Sequence, residues 1–290
     1  MDARPAVSRI YCDLECLRYH TPGHPDAPER VASAAERLKR SGRALLPPDY
    51  TATEADAALA HDPGHLSSVR DGLYCDEDTP HYDGIELFAM LSASCAVSAA
   101  MSAAAGEPGF SLMRPPGHHA GRRRAAGFCY LNNLAIAVSV LGRARPSLRA
   151  AILDIDAHHG DGTQDIMLGR PDVLFVSLHQ SPLYPGTGLR SEGNCLNFPL
   201  PPGTGEAAYL AALEKGLSSI TAFKPDVLAV SAGFDAFRAD PIAQLRLEKT
   251  SFRRIGGLIA GAGLKRFGVL EGGYAPDLPV LVENFLETFL

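Results

Sequence analysis

The run from Ala151 to Gly162 places acids and histidines directly after an apolar, β-branched segment. This pattern is typical of a buried parallel strand whose carboxyl end carries a site. Asp156 and His158 are two residues apart, so on an extended backbone their side chains point to the same side. A carboxylate oxygen and an imidazole nitrogen placed in this way can share one divalent ion. The alternative is a strand end followed by an Asp/Gly turn that contains histidines without using them.

A third metal ligand is available at Asp235, which follows another apolar segment. Three protein ligands and an open position describe a catalytic rather than a structural metal site. Two carboxylates with one imidazole suit zinc, iron(II) or cobalt better than copper, and zinc is the first expectation. The sequence therefore predicts a catalytic metal held by Asp156, His158 and Asp235.

Polar groups for proton transfer stand in two other places. His118 and His119 follow Arg-Pro-Pro-Gly, where the backbone forms neither helix nor strand, so a rigid loop must place both rings. A metal acidifies its bound water, and either histidine could act as the base if a carboxylate, Asp154 or Asp161, fixes its tautomer. Tyr274 follows two glycines and could hydrogen-bond an oxyanion that develops opposite the metal. Together these groups indicate hydrolysis of an amide or ester carbonyl.

The elements that must position these groups alternate between strand and helix along the chain. Each polar cluster follows an apolar strand, and sites in open parallel sheets lie at the carboxyl ends of the strands. Residues 182–205 are rich in proline and glycine and are predicted to form a long loop. One domain over residues 1–290 is predicted, since we find no repeat or linker. The predicted strands lie near 9–11, 110–113, 150–155, 173–179, 226–231 and 266–270. Helices are predicted near 28–41, 53–73 with an interruption at 62–64, 84–105, 132–142, 164–168, 206–222, 250–261 and at the carboxyl end.

Composition narrows the classes of function. The net charge is −6, which gives no electrostatic case for nucleic-acid or membrane binding. No signal peptide and no apolar stretch of about 18 residues is expected, so a membrane span is not predicted. The six cysteines form no CxxC pair and are expected to be reduced thiols, which favours a cytoplasmic protein.

The chain carries, in this order, the motifs RPPGHHA, GFCYLNN, DIDAHHGDGTQ, SLH, YPGTG, SAGFDAF, DP and EGGY. These motifs resemble those of the zinc-dependent histone deacetylase family, which includes bacterial histone-deacetylase-like amidohydrolases and acetylpolyamine amidohydrolases. The resemblance extends from Gly23-His24-Pro25 to Gly272-Gly273-Tyr274. It implies an arginase-like, three-layer α/β/α fold with a central parallel sheet of about eight strands.

The resemblance also implies a role for individual residues. It assigns zinc to Asp156, His158 and Asp235, acid/base catalysis to the tandem histidines, and carbonyl polarisation to Tyr274. Asp154 orients His118 and Asp161 orients His119 in this pattern. A structural potassium site is implied at Asp154, Ser177 and the backbone carbonyls of Asp156, His158 and Leu178. His159 and His179 have no catalytic counterpart and are expected to be structural.

Substrate contacts are implied in the same way. Phe128 and Tyr184 match the aromatic walls of an acyl-lysine tunnel, and Asp78 matches a loop aspartate that holds the substrate backbone. Arg30 matches an arginine that lines an internal cavity beyond the metal. Gly117 and Gly273 are expected to keep the tunnel floor open because they lack side chains.

Ile242 is a departure, since a relative specialised for polyamines carries a glutamate there. An apolar gate offers nothing to a second ammonium group. The run Asp-Ala-Phe-x-x-Asp-Pro-Ile nevertheless looks like that of bacterial acetylpolyamine enzymes, whereas the long insert that narrows their channel is missing between His61 and Arg114.

The leading hypothesis is therefore a zinc-dependent deacetylase that acts on acetylated lysine or a similar acetylated amine. An acetylpolyamine or specialised-metabolite amidohydrolase is the alternative enzyme, and a non-catalytic acyl-lysine binding module is an alternative of another class. A manganese arginase-like hydrolase would need more carboxylate ligands. The sequence leaves the oligomeric state open between monomer and dimer.

Overall fold

The computed structural model describes residues 9–74 and 76–290, in which all eight strands form one sheet and every neighbouring pair runs parallel. The predicted α/β fold with a central parallel sheet of about eight strands is therefore confirmed. From one edge to the other the strands are β2 (Leu45–Leu46), β1 (Arg9–Tyr11), β3 (Gly109–Ser111), β8 (Arg266–Leu270), β7 (Val227–Ala232), β4 (Ala150–Asp154), β5 (Val173–Gln180) and β6 (Cys195–Leu200).

Helices cover the sheet, as the alternating pattern predicts. Helix α1 buries Val31, Ala34 and Leu38 at helical spacing, and α5 begins where the Asn132 side chain accepts the amide hydrogen of Ala135. The helices are α1 (Glu29–Arg40), α2 (Glu54–Ala57), α3 (His65–Arg70), α4 (Ile85–Ala104), α5 (Asn133–Ala144), α6 (Asp161–Met167), α7 (Glu206–Phe223), α8 (Lys249–Gly261) and α9 (Leu278–Phe289), and a short 3₁₀ helix spans Leu14–Leu17.

Helix α4 departs from one expectation. With 20 residues it is long and apolar enough to cross a membrane, although no stretch of that kind was expected. Most of its residues are buried inside the protein, against β1, β3, β8 and α5. Its many alanines and serines are small, which allows close packing on the sheet. The length and hydropathy of α4 therefore fit a core helix.

Two strands were not predicted. Strand β6 lies inside residues 182–205, which were expected to be loop throughout, and β2 has only two residues. Both form edges of the sheet, where a strand is paired on one side only. Pro199 lies within β6, and proline is tolerated at an edge because one side of the strand needs no amide donor. The prediction of a continuous loop was wrong for these six residues.

The strand order explains why distant polar residues meet. Strands β3, β8, β7, β4 and β5 are consecutive neighbours in the sheet, although β3 is followed along the chain by β4. The chain thus leaves one half of the sheet and enters the other, and β7 and β8 later fill the space between. Ligand sites lie at such a switch in strand order. The predicted metal ligands, the tandem histidines, Tyr184 and Tyr274 follow these five strands.

A buried ion cluster ties α1 to the loop after β3. Asp26 accepts hydrogen bonds from Arg30 (Oδ1, 2.7 Å) and from the Tyr19 hydroxyl (Oδ2, 3.0 Å), and Arg114 lies 3.1 Å from Oδ2. Arg114 is completely buried and its guanidinium stacks on Tyr19, 3.6 Å from the ring centroid. Burial alone would raise the pKa of Asp26, but Arg114 and Arg30 outweigh it and lower that pKa. Asp26 is therefore the counter-ion of two buried arginines.

Asp26→Asn is expected to destabilise the protein by about 3–5 kcal/mol, because two buried guanidinium groups lose their counter-ion. Urea unfolding at pH 7 measures the change, with Asp71→Asn at an exposed position as the control. Because the native pKa of Asp26 is lowered, its stabilising effect is complete above about pH 4 and is lost as the pH falls through the native value. A loss below about 1 kcal/mol at pH 7 would contradict the counter-ion role.

Candidate active site

The three predicted metal ligands meet at the carboxyl ends of β4 and β7. The Nδ1 atom of His158 lies 3.0 Å from Oδ1 of Asp156 and 2.7 Å from Oδ2 of Asp235. One ligand atom from each residue lies within 4.8 Å of the others, and all three residues are buried. Among the described residues this is the single group of three or more acids, histidines or cysteines with such spacing.

The carboxylates are held from behind by backbone amides. Asp156 accepts from the amides of His158 (2.9 Å) and Gly272 (2.8 Å), and Asp235 accepts from that of Ala157 (2.7 Å). A Cβ atom at Gly233 would lie 2.2 Å from Oδ2 of Asp156, and one at Gly272 would lie 2.6 Å from the same oxygen. Both glycines are therefore needed so that the backbone can approach the carboxylate.

The donor set fits a divalent metal. Burial and the neighbouring Asp156 carboxylate raise the pKa of Asp235 to about 7. Burial lowers the pKa of His158, but hydrogen bonds to both carboxylates outweigh it and raise the pKa to about 10. The two buried carboxylates thus create a site between Asp156, His158 and Asp235 where a positive charge is stabilised. These three residues would hold the ion, since carboxylate oxygens with an imidazole nitrogen are a donor set that zinc takes in catalytic sites.

His118 is fixed at three points. Its Nδ1 lies 3.1 Å from Asp154 Oδ2, its amide donates to Glu271 Oε2 (3.1 Å), and its carbonyl accepts from the Thr163 amide (3.0 Å). Burial lowers the pKa of His118, but the negative charges of Asp156, Asp154 and Glu271 outweigh it and raise the pKa well above its usual value. The Nε2 atom lies 3.9 Å from Asp156. His118 therefore faces the metal ligands.

His119 has the opposite electrostatic environment. Its Nδ1 lies 2.7 Å from Asp161 Oδ1, and Arg124 pairs with the other oxygen of that carboxylate. Burial, together with the charge of His118, lowers the pKa of His119 to about 4. The ring is then neutral at pH 7, and with Nδ1–H donated to Asp161 its Nε2 is free to accept a proton. The predicted pairing of His118 with Asp154 and of His119 with Asp161 matches these contacts.

Tyr274 is held by three neighbours. Its amide donates to Asp240 Oδ2 (2.7 Å), its ring meets Phe128 edge-on at 5.6 Å, and the Arg30 guanidinium lies 4.7 Å from its ring centroid. The other oxygen of Asp240 accepts the amide hydrogen of Ile242 (3.0 Å). Burial raises the pKa of Tyr274 well above its usual value although Arg30 opposes the effect, so the hydroxyl keeps its proton.

An open pocket of about 260 Å³ leads to these groups. His119 and His158 line its inner part, and Tyr184 packs edge-on against His119 with the ring centroids 5.1 Å apart. The lining is mostly apolar, and Asp78 is its one carboxylate. The residues that line the pocket are Pro25, Asp78, His119, Gly127, Phe128, His158, Leu183, Tyr184, Ile242 and Tyr274.

Three predicted substrate-binding residues are not part of this lining. The Arg30 guanidinium donates hydrogen bonds to Asp26 and to the carbonyls of Glu271 and Gly273, so it supports the turn before Tyr274. A Cβ at Gly117 would lie 2.7 Å from the Asn133 amide nitrogen, and Gly273 has φ +115° with Phe234 2.8 Å from a Cβ. These glycines permit close backbone packing and a left-handed turn. Their role at an open tunnel floor stays a prediction.

The residues of the implied potassium site lie next to the metal ligands. Asp154 and Ser177 are partners in the register of β4 and β5, and Leu178 follows on β5. The Ser177 hydroxyl lies 2.9 Å from Nδ1 of His179. The structure gives His159 contacts with Thr187 and Gln164, consistent with the expected structural role.

Several residues that shape the site were not predicted. Glu271 and Asp240 each accept two backbone amides of the site, yet in the sequence they stand in EGGY and DP without any marked role. His24 donates from Nε2 to the Asp78 carbonyl (3.1 Å) and packs on Phe128. A buried acid next to glycine at the end of an apolar strand is the signal that could have revealed Glu271.

The cysteines of the described residues are buried, and their expected reduced state stays a prediction. Cys12, Cys16, Cys95, Cys129 and Cys195 are buried and unpaired, and Cys75 lies outside the described residues, as do residues 1–8. Burial raises the pKa of Cys12 to about 12, so this thiol does not ionise at neutral pH.

Comparison with known families gives one extended match. The model of the histone deacetylase domain matches residues 24–288. The match includes every motif residue placed in the site above.

Individual relatives and structures agree with the family match. A probable deacetylase of Archaeoglobus fulgidus is 37% identical over 93% of this chain and 82% of its own length. An acetylpolyamine amidohydrolase of Burkholderia pseudomallei is 44% identical, but that match covers 63% of this chain and 56% of the relative. A crystal structure of an acetylpolyamine aminohydrolase from the same organism superimposes with a TM-score of 0.87 at 32% identity, over 97% of this chain and 98% of that one.

Proposed function

Because the chain belongs to the histone deacetylase family and hydrolyses amide bonds as a deacetylase or amidohydrolase, we propose that it is a zinc-dependent hydrolase of acetylated amines. Its substrates would carry acetyl or short acyl groups on lysine side chains or on similar small amides. One observation supports this most strongly. The Asp156, His158 and Asp235 ligand atoms converge below a mostly apolar pocket that His119 and Tyr274 also line.

The metal ligands fit zinc, as the buried, charged donor set indicates. When bound there, zinc supplies acidity to water and polarises the substrate carbonyl. His119 is neutral and reaches the pocket, so it takes the proton from the attacking water. His118, held by Asp154, places a second imidazole beside the metal ligands. Either protonated ring can then give its proton to the leaving amine.

Tyr274 donates its hydroxyl hydrogen to the carbonyl oxygen as negative charge develops there. The raised pKa keeps this donor protonated. Asp240, Arg30 and Phe128 fix the main chain and ring of Tyr274 before substrate arrives, so the donor needs no reorganisation. A binding module would need neither this donor nor a base, and these groups therefore favour an enzyme.

The pocket walls suit an aliphatic chain that ends in an acetamide. Phe128, Tyr184 and Leu183 offer apolar surface, and Asp78 stands at the exposed rim where it can accept hydrogen bonds from a substrate backbone. Ile242 offers no partner to a second ammonium group. We therefore favour acetyl-lysine over acetylpolyamines, and the named acetylpolyamine relatives keep the second class open.

Other expectations stay proposals. We propose that residues 1–290 form a single catalytic domain in the cytoplasm, as a monomer or dimer. The one continuous sheet and the family match over residues 24–288 support the single domain. A potassium ion at Asp154, Ser177 and Leu178 would be structural. A two-manganese, arginase-like centre is less favoured, because the described residues bring together one three-ligand group.

Comparing kcat/KM for acetyl-lysine peptides with that for acetylputrescine and acetylspermidine tests the substrate class. We expect the peptides to be favoured at least about tenfold, since a second ammonium group that enters beside Ile242 loses water without gaining a charged partner. Ile242→Glu should move the ratio toward acetylspermidine, and Ile242→Leu is the matched control. A wild-type preference for acetylspermidine would replace the leading substrate with the alternative.

A further inference from the structure

Glu271 is a completely buried acid that does not line the pocket. It follows β8 directly. Its Oε2 accepts two amide hydrogens from the tandem-histidine loop, those of Gly117 (2.7 Å) and His118 (3.1 Å), and its Oε1 accepts from the Ser231 hydroxyl (3.3 Å). Both oxygens are therefore used, and two of the three bonds go to the loop that carries a catalytic residue.

On its other side, the loop that carries His118 packs directly against the start of α5. A Cβ at Gly117 would lie 2.7 Å from the Asn133 amide nitrogen, so the backbone there cannot retreat toward α5. The contacts to Thr163 and Asp154 hold the carbonyl and the ring of His118, whereas Glu271 holds its amide. Removing Glu271 would leave two buried amides without acceptors and a void on one side of the loop.

Given the proposed function, on which this inference rests, we propose that Glu271 is a positioning residue that sets the place of His118 relative to the metal ligands. The length of its side chain, which brings one oxygen to both amides of the loop, would be responsible for this role rather than its negative charge. The residues that follow it extend the same connection, because the Gly272 amide binds Asp156 and the Tyr274 amide binds Asp240. A single turn thus joins the histidine loop, a metal ligand and the carbonyl donor.

Three substitutions separate reach from charge. Glu271→Gln keeps an acceptor oxygen at the same distance for both amides and can place its amino group near Ser231. Glu271→Asp keeps the charge but is one methylene shorter and cannot reach both amides. Glu271→Ala removes both features. Ser231→Ala removes only the third partner and serves as the control.

The expected result is a loss of kcat in the Asp and Ala variants of about 100-fold with little change in KM, as follows when a catalytic group is displaced by about 1 Å. The kcat of the Gln variant should stay within about fivefold of the wild-type value, with KM also little changed. Zinc content is measured in each preparation to separate this effect from metal loss. A Gln variant as slow as Ala beside an active Asp variant would assign the effect to charge and overturn the proposal, as would full activity of all three.

A second readout does not depend on turnover. In zinc-loaded protein with ¹⁵N-labelled histidine, the Nδ1–H resonance of His118, identified by its loss in His118→Ala, should move in the Asp and Ala variants and stay in place in Gln. An unchanged resonance in all variants would overturn the positioning role. A wild type that leaves every acetylated amine intact would refute the proposed function, and the resonance would still test the position of His118.

Discussion

Asp235→Ala is expected to lose the bound metal and, with it, deacetylation. Asp235 is the ligand farthest away in sequence, and its Oδ2 lies 2.7 Å from Nδ1 of His158. Without it, two protein ligands remain, which is fewer than the three that catalytic zinc sites use. Metal analysis of the purified protein should fall from about one ion per chain to nearly none.

Asp235→Asn is the matched variant for this experiment. Its amide oxygen can still accept the Ala157 amide hydrogen, so the local backbone is preserved while the anionic ligand is gone. We expect the Asn variant to lose metal as well, with thermal unfolding that stays cooperative. Full occupancy in both variants would refute the assignment of Asp235 as a ligand.

Tyr274→Phe is expected to reduce kcat by about 10²–10³ with unchanged metal content, as the loss of one oxyanion donor does in other hydrolases. The substitution removes one oxygen atom and retains the ring contacts with Phe128 and Arg30. The main-chain bond to Asp240 is also kept, so the geometry of the turn should survive.

Tyr50→Phe provides the comparison, since the hydroxyl of Tyr50 bonds Asp56 away from the pocket. It should leave kcat unchanged. Turnover of Tyr274→Phe close to that of the wild type would remove Tyr274 from the proposed mechanism. Loss of metal in that variant would instead show that the tyrosine stabilises the metal ligands.

The sequence was informative where side chains act through their own chemistry. The acids and histidines after β4, and Asp235 after β7, could be recognised because parallel strands deliver such groups to one edge of the sheet. That their ligand atoms lie within 4.8 Å of one another could not be predicted. It depends on the strand order, which places β4 and β7 side by side and cannot be inferred from the local sequence pattern.

Residues that act through the backbone were much harder to recognise. Glu271 and Asp240 hold amide hydrogens of loops that are distant in sequence, and only Glu271 carries a local signal, its position between an apolar strand and a glycine. Edge strand β6 was hard to recognise for a different reason. Its sequence, CLNFPL, contains a proline and does not alternate regularly between apolar and polar residues. Apolar helix α4 could be placed, but its close packing on β3 depends on Gly109, where a Cβ would lie 2.5 Å from the Ala99 carbonyl oxygen.

Asp240 has a consequence for how substrate preference can change. One of its oxygens binds the amide of Ile242 at the mouth of the pocket, and the other binds the amide of Tyr274. Exchanging the side chain at position 242 leaves both bonds in place, whereas inserting or deleting a residue between 240 and 242 would pull on the tyrosine. Point substitutions at this gate can therefore diversify the accepted amines at constant catalytic power, while changes in loop length carry a penalty in turnover.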